Sequence, residues 1–299
     1  MSGAEARCPT CRQLNPIGFP FDGSADVTTL ASHALNAFQR EAAMCVVATM
    51  IFVAFLIGGG VITNLVTTLV SSILGLHVDP VNPLRNLRDS GINFAVQQAV
   101  GTAVNMAVMG ITLTGFYRLL IDVLEGKRAD IGRMFTQVHL LPQYVLLHVI
   151  LFLFITLPTW IYMGVTVFLG IRMVGADWNH LERLRPQMLL SGEMVGLLLS
   201  SSVLYLAVAA LVLPVSMFAT MELIVGRCDA LEAIKRAWDL GNGQRLRTLG
   251  YSLLAGVMLF LGFFACCVGL LAAVPVSLML VLSLFLALRR SSSLPAVQG

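Results

Sequence analysis

The cysteines nearest the N-terminus have the spacing of a metal-ligand pair. Cys8 and Cys11 are separated by two residues, as in half of a tetrahedral zinc site. A closed structural zinc site needs four ligands, and no second pair of this spacing follows. We therefore expect no cofactor. Three interpretations of the pair stay open: a zinc ion shared across a dimer or with a partner, a free dithiol, and the remnant of a lost site.

Ionisable side chains within the apolar segments are the second candidates for chemistry. A charged residue near the bilayer centre normally marks an ion or proton path, but Arg118, Asp122 and Glu222 all fall near predicted helix ends. Arg118 and Asp122 are four residues apart, which predicts an ion pair along a helix. The sequence shows no nucleophile beside a base and no glycine-rich phosphate loop. It predicts that the protein is not an enzyme and that it lacks the usual residues of proton-coupled transport.

Neutral polar residues in the apolar segments leave a different kind of transport open. Asn64, Asn105 and His148 could hydrogen-bond between helices or line a transport path. Pro158 and Pro214 lie inside predicted helices, where they predict kinks, and broken helices often line transport sites.

The elements that position these residues follow from composition. Of 299 residues, 57% are hydrophobic and 12% are charged, with a mean hydropathy of +0.85. Apolar stretches able to span a bilayer cover residues 44–76, 94–123, 142–173, 194–225 and 246–288. The last is long enough for two short helices that turn near Cys266 to Gly269. We therefore predict an all-α membrane protein whose domain, residues 44–290, contains six transmembrane helices arranged as three hairpins.

The two ends of the chain are predicted to lie outside this domain. Residues 1–25 are polar and rich in proline, which predicts a flexible segment, and residues 291–299 are predicted to form a disordered tail. Asp26 can cap a helix over residues 26–43, in which apolar residues recur at intervals of three and four. We interpret this helix as amphipathic and lying at the membrane surface.

The distribution of basic residues predicts the orientation. With the N-terminus inside, every Lys and Arg is cytoplasmic except Arg85, Arg88, Arg172, Arg183 and Arg185. Positive charges stay inside, so both termini are predicted to be cytoplasmic. Seventeen Arg against two Lys is typical of a GC-rich bacterial genome, which favours a bacterial inner membrane. The net charge of +3 is too small to indicate nucleic-acid binding.

Three basic stretches are predicted to contact the cytoplasmic leaflet or a partner. Asp229 and Glu232 have the spacing of a capping box, which predicts a helix that Gly241 or Gly243 ends. Basic residues beside Trp238 suit an interfacial helix on anionic headgroups. The predicted contact residues are Lys127, Arg128, Arg133, Lys235, Arg236, Trp238, Arg245 and Arg247.

The two predicted cytoplasmic helix ends also show a weak internal repeat. Asp122, with Gly126 and Lys127 after it, is echoed one hundred positions later by Glu222, with Gly226 and Arg227 after it. Either the two ends derive from a repeated hairpin, or both reflect the usual preference of cytoplasmic helix ends for glycine and a basic residue.

The segment from Asp229 to Gly243 resembles a motif of a broad bacterial family of six-helix membrane proteins of largely unknown function. This family is related to the membrane domain of some glycerophosphoryl diester phosphodiesterases. The similarity also takes in Ala34 to Phe38 and the loop at Gly126 and Lys127. The matching positions are Ala233, Ile234, Ala237, Trp238, Gly241 and Asn242, with Ala237 where serine is usual. The resemblance implies a six-helix domain without hydrolase activity, and Cys8 with Cys11 resembles a truncated zinc ribbon.

The leading hypothesis is a non-enzymatic scaffold or accessory subunit of the inner membrane. Its expected partners are membrane lipids and a membrane-protein partner or a second copy of the chain. The alternative is a transporter or lipid-handling protein with its site among Asn64, Asn105 and His148.

Overall fold

A computed structural model was obtained for the chain. It describes residues 19–74, 87–158, 161, 162, 164–166, 169 and 192–292, apart from the side chains of 87–95, of 266–268 and of some residues within 155–213. All regular secondary structure in these residues is helical. The helices are α1 (Val27–Arg40), α2 (Ala42–Ile73), α3 (Leu87–Leu124), a 3₁₀ helix (Ile131–Leu140), α4 (Leu141–Leu151) with a π-helical extension (Phe152–Thr156), α5 (Gly192–Gly226), α6 (Ala230–Gly241), α7 (Arg245–Phe264) and α8 (Cys266–Ser291).

Five of these helical segments are long and apolar enough to cross a membrane. They cover Ala42–Ile73, Val96–Leu124, Ile131–Phe154, Arg245–Phe264 and Gly269–Ser291. A shorter apolar stretch, Pro214–Gly226, forms the end of α5. The prediction of an all-helical chain is confirmed for the described residues, and these apolar helices are compatible with a polytopic membrane protein.

The chain divides into two compact units. The first contains residues 1–57, 106–147 and 213–299, and the second contains residues 58–105 and 148–212. Buried side chains of the first unit, among them Phe116, Leu120, Phe218, Met279 and Phe285, form its core. In the second unit, many described apolar side chains of α2 are exposed, as expected for a lipid-facing surface.

The predicted hairpin at the end of the chain is confirmed by α7 and α8. The turn between them is a single residue, Ala265. A Cβ on Gly262 would lie 3.1 Å from the Gly269 carbonyl oxygen, and one on Gly269 would lie 2.8 Å from that of Gly262. The two helices therefore pack backbone to backbone beside the turn, as small residues permit.

Close packing also explains two glycines of α3. A Cβ on Gly115 would overlap the backbone carbonyl of Met134 in the 3₁₀ helix, and one on Gly110 would lie 2.5 Å from Leu141 Cδ1. The small-residue spacing of this segment thus brings the 3₁₀ helix and α4 against α3, within the first unit.

The long second helix keeps its hydroxyl groups hydrogen-bonded within itself. Thr63 donates to the Gly59 carbonyl at 2.9 Å, and Thr67 and Ser72 likewise donate to carbonyls one turn back. Because these hydroxyls are satisfied locally, a polar sequence here is compatible with hydrocarbon. The three consecutive glycines, Gly58 to Gly60, lie inside the continuous helix. At about 1.5 Å per residue, the helix exceeds a hydrocarbon core of about 30 Å, so it must tilt or protrude.

Candidate membrane-interface site

The functional candidates of the first unit gather at one end of it. Here α3 and α5 end, α7 begins and α8 ends, and α1 and the residues before it lie across these helix ends. We call this end the basic face. Basic side chains are contributed to it by Arg40, Lys127, Arg133, Arg236, Arg247, Arg289 and Arg290.

A first buried carboxylate, Asp122, lies in the last turn of α3. Its oxygens are 2.7 Å from Arg133 Nη1, 3.3 Å from Lys127 Nζ and 3.6 Å from Arg118 Nη2. The predicted pair of Arg118 and Asp122 is confirmed. Lys127 also contacts Glu125 Oε2 at 2.5 Å. Lys127 and Arg133 are thus partly neutralised by this cluster, although the sequence predicts that both contact lipid or a partner.

A second buried carboxylate, Glu222, lies in the last turns of α5 and is fully inaccessible. Its Oε1 is 3.1 Å from Arg289 Nε, and its Oε2 is 3.9 Å from Arg236 Nη1. Within the described part of the chain, neither oxygen has a hydrogen bond of good geometry, and neither do Arg289 Nη1 and Nη2. This ion pair therefore depends on charge attraction in a desolvated place, where loss of one partner is expensive.

Gly226 leaves room for the side chains of the Glu222 cluster at the end of α5. A Cβ on Gly226 would lie 2.7 Å from Glu222 Oε2, 3.3 Å from Arg236 Nη1 and 3.4 Å from Arg289 Nη2. The glycine predicted from the repeat thus has a packing role. Arg289 of α8 and Arg236 of α6 converge on the end of α5, so the cluster joins three helices.

Side chains of α1 cap the C-terminal end of α3. Arg40 Nη2 donates to the Val123 carbonyl at 2.7 Å, and His33 Nε2 lies 3.1 Å from the Leu124 carbonyl. These carbonyls are among the groups that a helix C-terminus leaves without intrahelical partners. The apolar face of α1, with Leu30, Ala34 and Ala37, is buried in protein rather than open to lipid.

The residues before α1 are held on the basic face. Arg290 donates to the Phe19 carbonyl at 2.5 Å, and Arg247 donates to the carbonyls of Gly23 and Ala25. Phe19 is buried and packs edge-on against the ring of His33. Of the segment predicted to be flexible, residues 19–25 are thus fixed through their backbone, and residues 1–18 lie outside the described residues.

The predicted cap of α1 is confirmed. Asp26 Oδ1 accepts from Thr29 N at 3.0 Å, and Oδ2 accepts from Thr28 Oγ1 at 2.7 Å. These hydrogen bonds from Thr29 and Thr28 stabilise the carboxylate and lower the pKa of Asp26.

The predicted capping box of α6 is wrong in its chemistry, although the helix begins where expected. Asp229 makes no side-chain capping bond. The Ala230 N–H instead donates to Gln143 Oε1 of α4 at 3.2 Å, so another helix satisfies this group. Glu232, the expected second member, binds Arg236 Nη2 at 2.5 Å. Helix α6 is therefore held by its neighbours rather than by its own cap.

The two sides of α6 have opposite exposure. Small residues, Ala230, Ala233 and Ala237, are buried in the protein. The large apolar residues Leu231 and Trp238 are 68% and 50% exposed. The buried alanines allow the helix to lie close to its neighbours. Leu240 is buried as well, whereas Leu231 and Trp238 point away from the protein.

An exposed corner forms where α6 leads into α7. The Arg245 guanidinium lies 4.4 Å from the centre of the Trp238 ring, a cation–π distance. Leu246 beside it is 86% exposed, and Lys235 is exposed on α6. We call Leu231, Lys235, Trp238, Arg245 and Leu246 the α6–α7 corner.

Basic residues that the sequence treats as one contact group thus separate into two kinds. Lys127, Arg133, Arg236 and Arg247 bind carboxylates or backbone carbonyls within the protein. Arg128 and Lys235 are exposed and make no ion pair with any described residue. The partners of Lys127 and Arg133 are local, whereas those of Arg247, Gly23 and Ala25, are more than two hundred residues away, so the sequence lacks a signal for the role of Arg247.

The predicted transport-lining residues lie at three positions on long helices. Asn64 in α2 and Asn105 in α3 have exposed side chains, and both belong to the second unit. His148 in α4 is partly exposed and makes contacts of its own.

The possible metal ligands are only partly visible. Cys8 and Cys11 lie outside the described residues. Within the described ranges, no group of three His, Cys, Asp or Glu side chains is placed to hold a metal ion. Cys228 follows α5, and its Sγ donates to the Glu222 carbonyl at 3.7 Å. Burial raises the pKa of the Cys228 thiol, which disfavours the reactive thiolate.

No protein-family profile, curated protein or solved structure matches this chain.

Proposed function

We propose that this chain is a non-enzymatic scaffold or accessory subunit of a bacterial inner membrane, which binds anionic lipid or a partner protein through its basic face. This proposal rests on the way in which the charged side chains of that face are paired. Both buried carboxylates are engaged by arginines that join helix ends. The large side chains of the α6–α7 corner point outward. Helix ends that are joined by internal ion pairs and that carry an outward contact surface support a scaffold rather than a reaction centre.

We also propose six spans arranged as three hairpins, with both termini cytoplasmic. Support comes from residues that contact one another on the basic face. His33 and Arg40, which precede α2, contact the end of α3, as expected if α2 crosses the membrane outward and α3 crosses back. Arg133 contacts Asp122, and Glu222 contacts Arg289, so the chain also returns to this face by the end of α5. Helices α7 and α8 make the third excursion.

Topology is tested by cysteine labelling from the two sides of sealed cells, with single cysteines at Arg128 and Ser292 in a chain whose native cysteines are replaced by serine. Labelling of both sites only after the cells are opened supports cytoplasmic ends. Labelling of Ser292 in intact cells would overturn the assignment. A cysteine at Arg183, on the predicted outer side, is the control that reports access from outside.

The scaffold proposal is tested by native mass spectrometry after gentle extraction with surrounding lipid. A stoichiometric protein partner, or retained anionic lipid without transported solute, is expected. A partner-free particle that carries a specific small molecule, together with uptake of that molecule by proteoliposomes, would contradict the proposal.

The second candidate is a transporter or lipid-handling protein. The exposed amide side chains of Asn64 and Asn105 in apolar helices favour it, because isolated polar groups in a membrane segment are expensive without a function. Replacement of Asn105 by Leu and of His148 by Leu would then abolish flux in proteoliposomes. Flux that is unaltered in both variants would count against this candidate. The kinship with phosphodiesterase-linked membrane domains stays a prediction, and so does the absence of a cofactor at Cys8 and Cys11, with the three interpretations of this pair still open.

A further inference from the structure

We propose that the α6–α7 corner binds the phosphate of an anionic phospholipid, with Arg245 and Lys235 as the cationic contacts and Trp238 as the anchor in the headgroup layer. This inference rests on the proposed function, because it names the partner of the outward surface on the basic face.

The first support is the position of the corner along α7. This helix has 20 residues, or about 30 Å at 1.5 Å per residue, which equals the thickness of a hydrocarbon core. Arg245 begins the helix, and Phe263 and Phe264 end it with largely exposed rings. Aromatic side chains are enriched at both interfaces of a membrane. The two ends of α7 therefore fit the two headgroup layers, with the corner in one of them.

The second support is the direction of the side chains on α6. Leu231, Lys235 and Trp238 follow at intervals of four and three residues, so they lie along one side of the helix. The buried alanines occupy another side. A helix that rests on its protein by small residues and presents Leu, Lys and Trp outward has the side-chain pattern of an interfacial helix.

The third support is the chemistry of the stacked pair. A guanidinium over an indole face keeps its N–H donors in the plane of the group, so they remain available to a phosphate. The acidic residues of α6 oppose the attraction of a phosphate to the corner. Glu232 is occupied by Arg236, and Asp239 is an exposed acidic group two turns from Leu231. The basic partners of the corner, Lys235 and Arg245, outnumber the unpaired acid.

Arg236 and Arg247 do not share this role. Arg236 is engaged by Glu222 and Glu232, and Arg247 by the carbonyls of Gly23 and Ala25. A phosphate would have to displace these internal partners. Of the eight contact residues that the sequence predicts, Lys235, Arg245 and Trp238 therefore form the proposed phosphate site.

The test uses Trp238 as its own reporter. Trp160 and Trp178, the other two of three tryptophans, are replaced by Phe, and the full chain is reconstituted in vesicles. Brominated phosphatidylglycerol or brominated phosphatidylcholine is added at equal mole fraction in separate samples. Because each basic residue near the surface favours anionic lipid by about fivefold, the anionic quencher is expected to reduce Trp238 fluorescence more strongly.

Matched variants locate the preference. Arg245→Gln and Lys235→Gln should each lower the excess quenching by the anionic lipid, by up to about fivefold in relative association. Arg227→Gln, which removes an exposed charge outside the α6–α7 corner and outside the predicted contact residues, should leave it unchanged. Arg245→Lys keeps the charge without the planar group. If Arg245→Lys retains the preference for anionic lipid while Arg245→Gln loses it, the effect is assigned to charge.

Two results would overturn the proposal. Equal quenching by the two lipids would show that the corner does not select anionic headgroups. Absence of quenching by either lipid would show that protein covers Trp238. Neither result would remove the scaffold proposal, which the mass spectrum and the flux measurement decide separately.

Discussion

The ends of α3 and α5 carry the same sequence pattern but hold their acidic residues in different ways. Asp122 is paired with Lys127 and Arg133, whose side chains are 49% and 47% exposed. Glu222 is paired with Arg289 and Arg236, whose side chains are 9% and 14% exposed. One carboxylate is therefore neutralised by groups that still reach water, and the other by groups that have largely left it.

This difference follows from where the basic partners come from. Lys127 and Arg133 belong to the segment that directly follows α3, so the first cluster is local. Arg289 comes from the end of α8, a segment remote in sequence, and contacts Glu222 in the second cluster. The comparison shows that a repeated sequence motif need not repeat the energetics of its site, because packing against a remote helix decides the solvation.

The largest effect is expected from breaking the Glu222 pair. Glu222→Leu leaves Arg289 buried without its counter-charge, which costs about 3–5 kcal/mol. The double variant Glu222→Leu with Arg289→Met removes both charges and should recover most of this loss, because a buried pair replaced by apolar groups is often neutral in stability. Thermal unfolding in detergent micelles measures both. A double variant no more stable than Glu222→Leu would refute the charge explanation.

A smaller effect is expected at Asp122. Asp122→Asn removes the charge that attracts Arg133 and Lys127, but these half-exposed side chains can turn to water, so the loss should be about 1–2 kcal/mol. The same unfolding measurement applies, with Asp130→Asn as a control at an acidic residue outside the ion-pair cluster, where the carboxylate caps the 3₁₀ helix. A loss at Asp122 equal to that at Glu222 would contradict the proposed difference in solvation.

The turns after α3 and α5 place different residues in the left-handed conformation, and this difference can be tested. Gly126 has φ +84° after α3, whereas after α5 the left-handed residue is Arg227, with φ 45°. Gly126→Ala should destabilise the protein by about 1 kcal/mol, and Arg227→Gly should stabilise it by a similar or smaller amount. Shifts of opposite sign in the unfolding midpoint are expected. Shifts of the same sign would show that side-chain contacts, rather than backbone conformation, govern these turns.

The sequence predicts the features that depend on neighbouring residues. The apolar spans, the cap of α1 by Asp26 and the pair of Arg118 with Asp122 all arise within a few residues of chain. Periodicity and spacing therefore reveal them. The turn between α7 and α8 belongs to the same class, because a stretch too long for one span must fold back.

The features that join remote segments were not predictable. Arg289 reaches Glu222, and Arg290 reaches the Phe19 carbonyl, only after the end of α8 has packed against the end of α5 and the residues before α1. The capping box at Asp229 failed for the same reason, since Gln143 of another helix bonds the Ala230 N–H. A carbonyl acceptor carries no side-chain signal, so the sequence could not show that Arg247 is used to hold residues 23 and 25.

The smallest effect, and the one that isolates solvation, is the response of the two acidic sites to salt. Raising the ionic strength from about 0.1 M to about 1 M shortens the Debye length from about 10 Å to about 3 Å. Exposed charges are screened by added ions, whereas buried pairs are screened much less. The stability lost in Asp122→Asn should therefore shrink in high salt, while that lost in Glu222→Leu should stay nearly constant. If both losses shrink in parallel, water and ions reach Glu222 as readily as Asp122, and the contrast between the two helix ends is one of geometry alone.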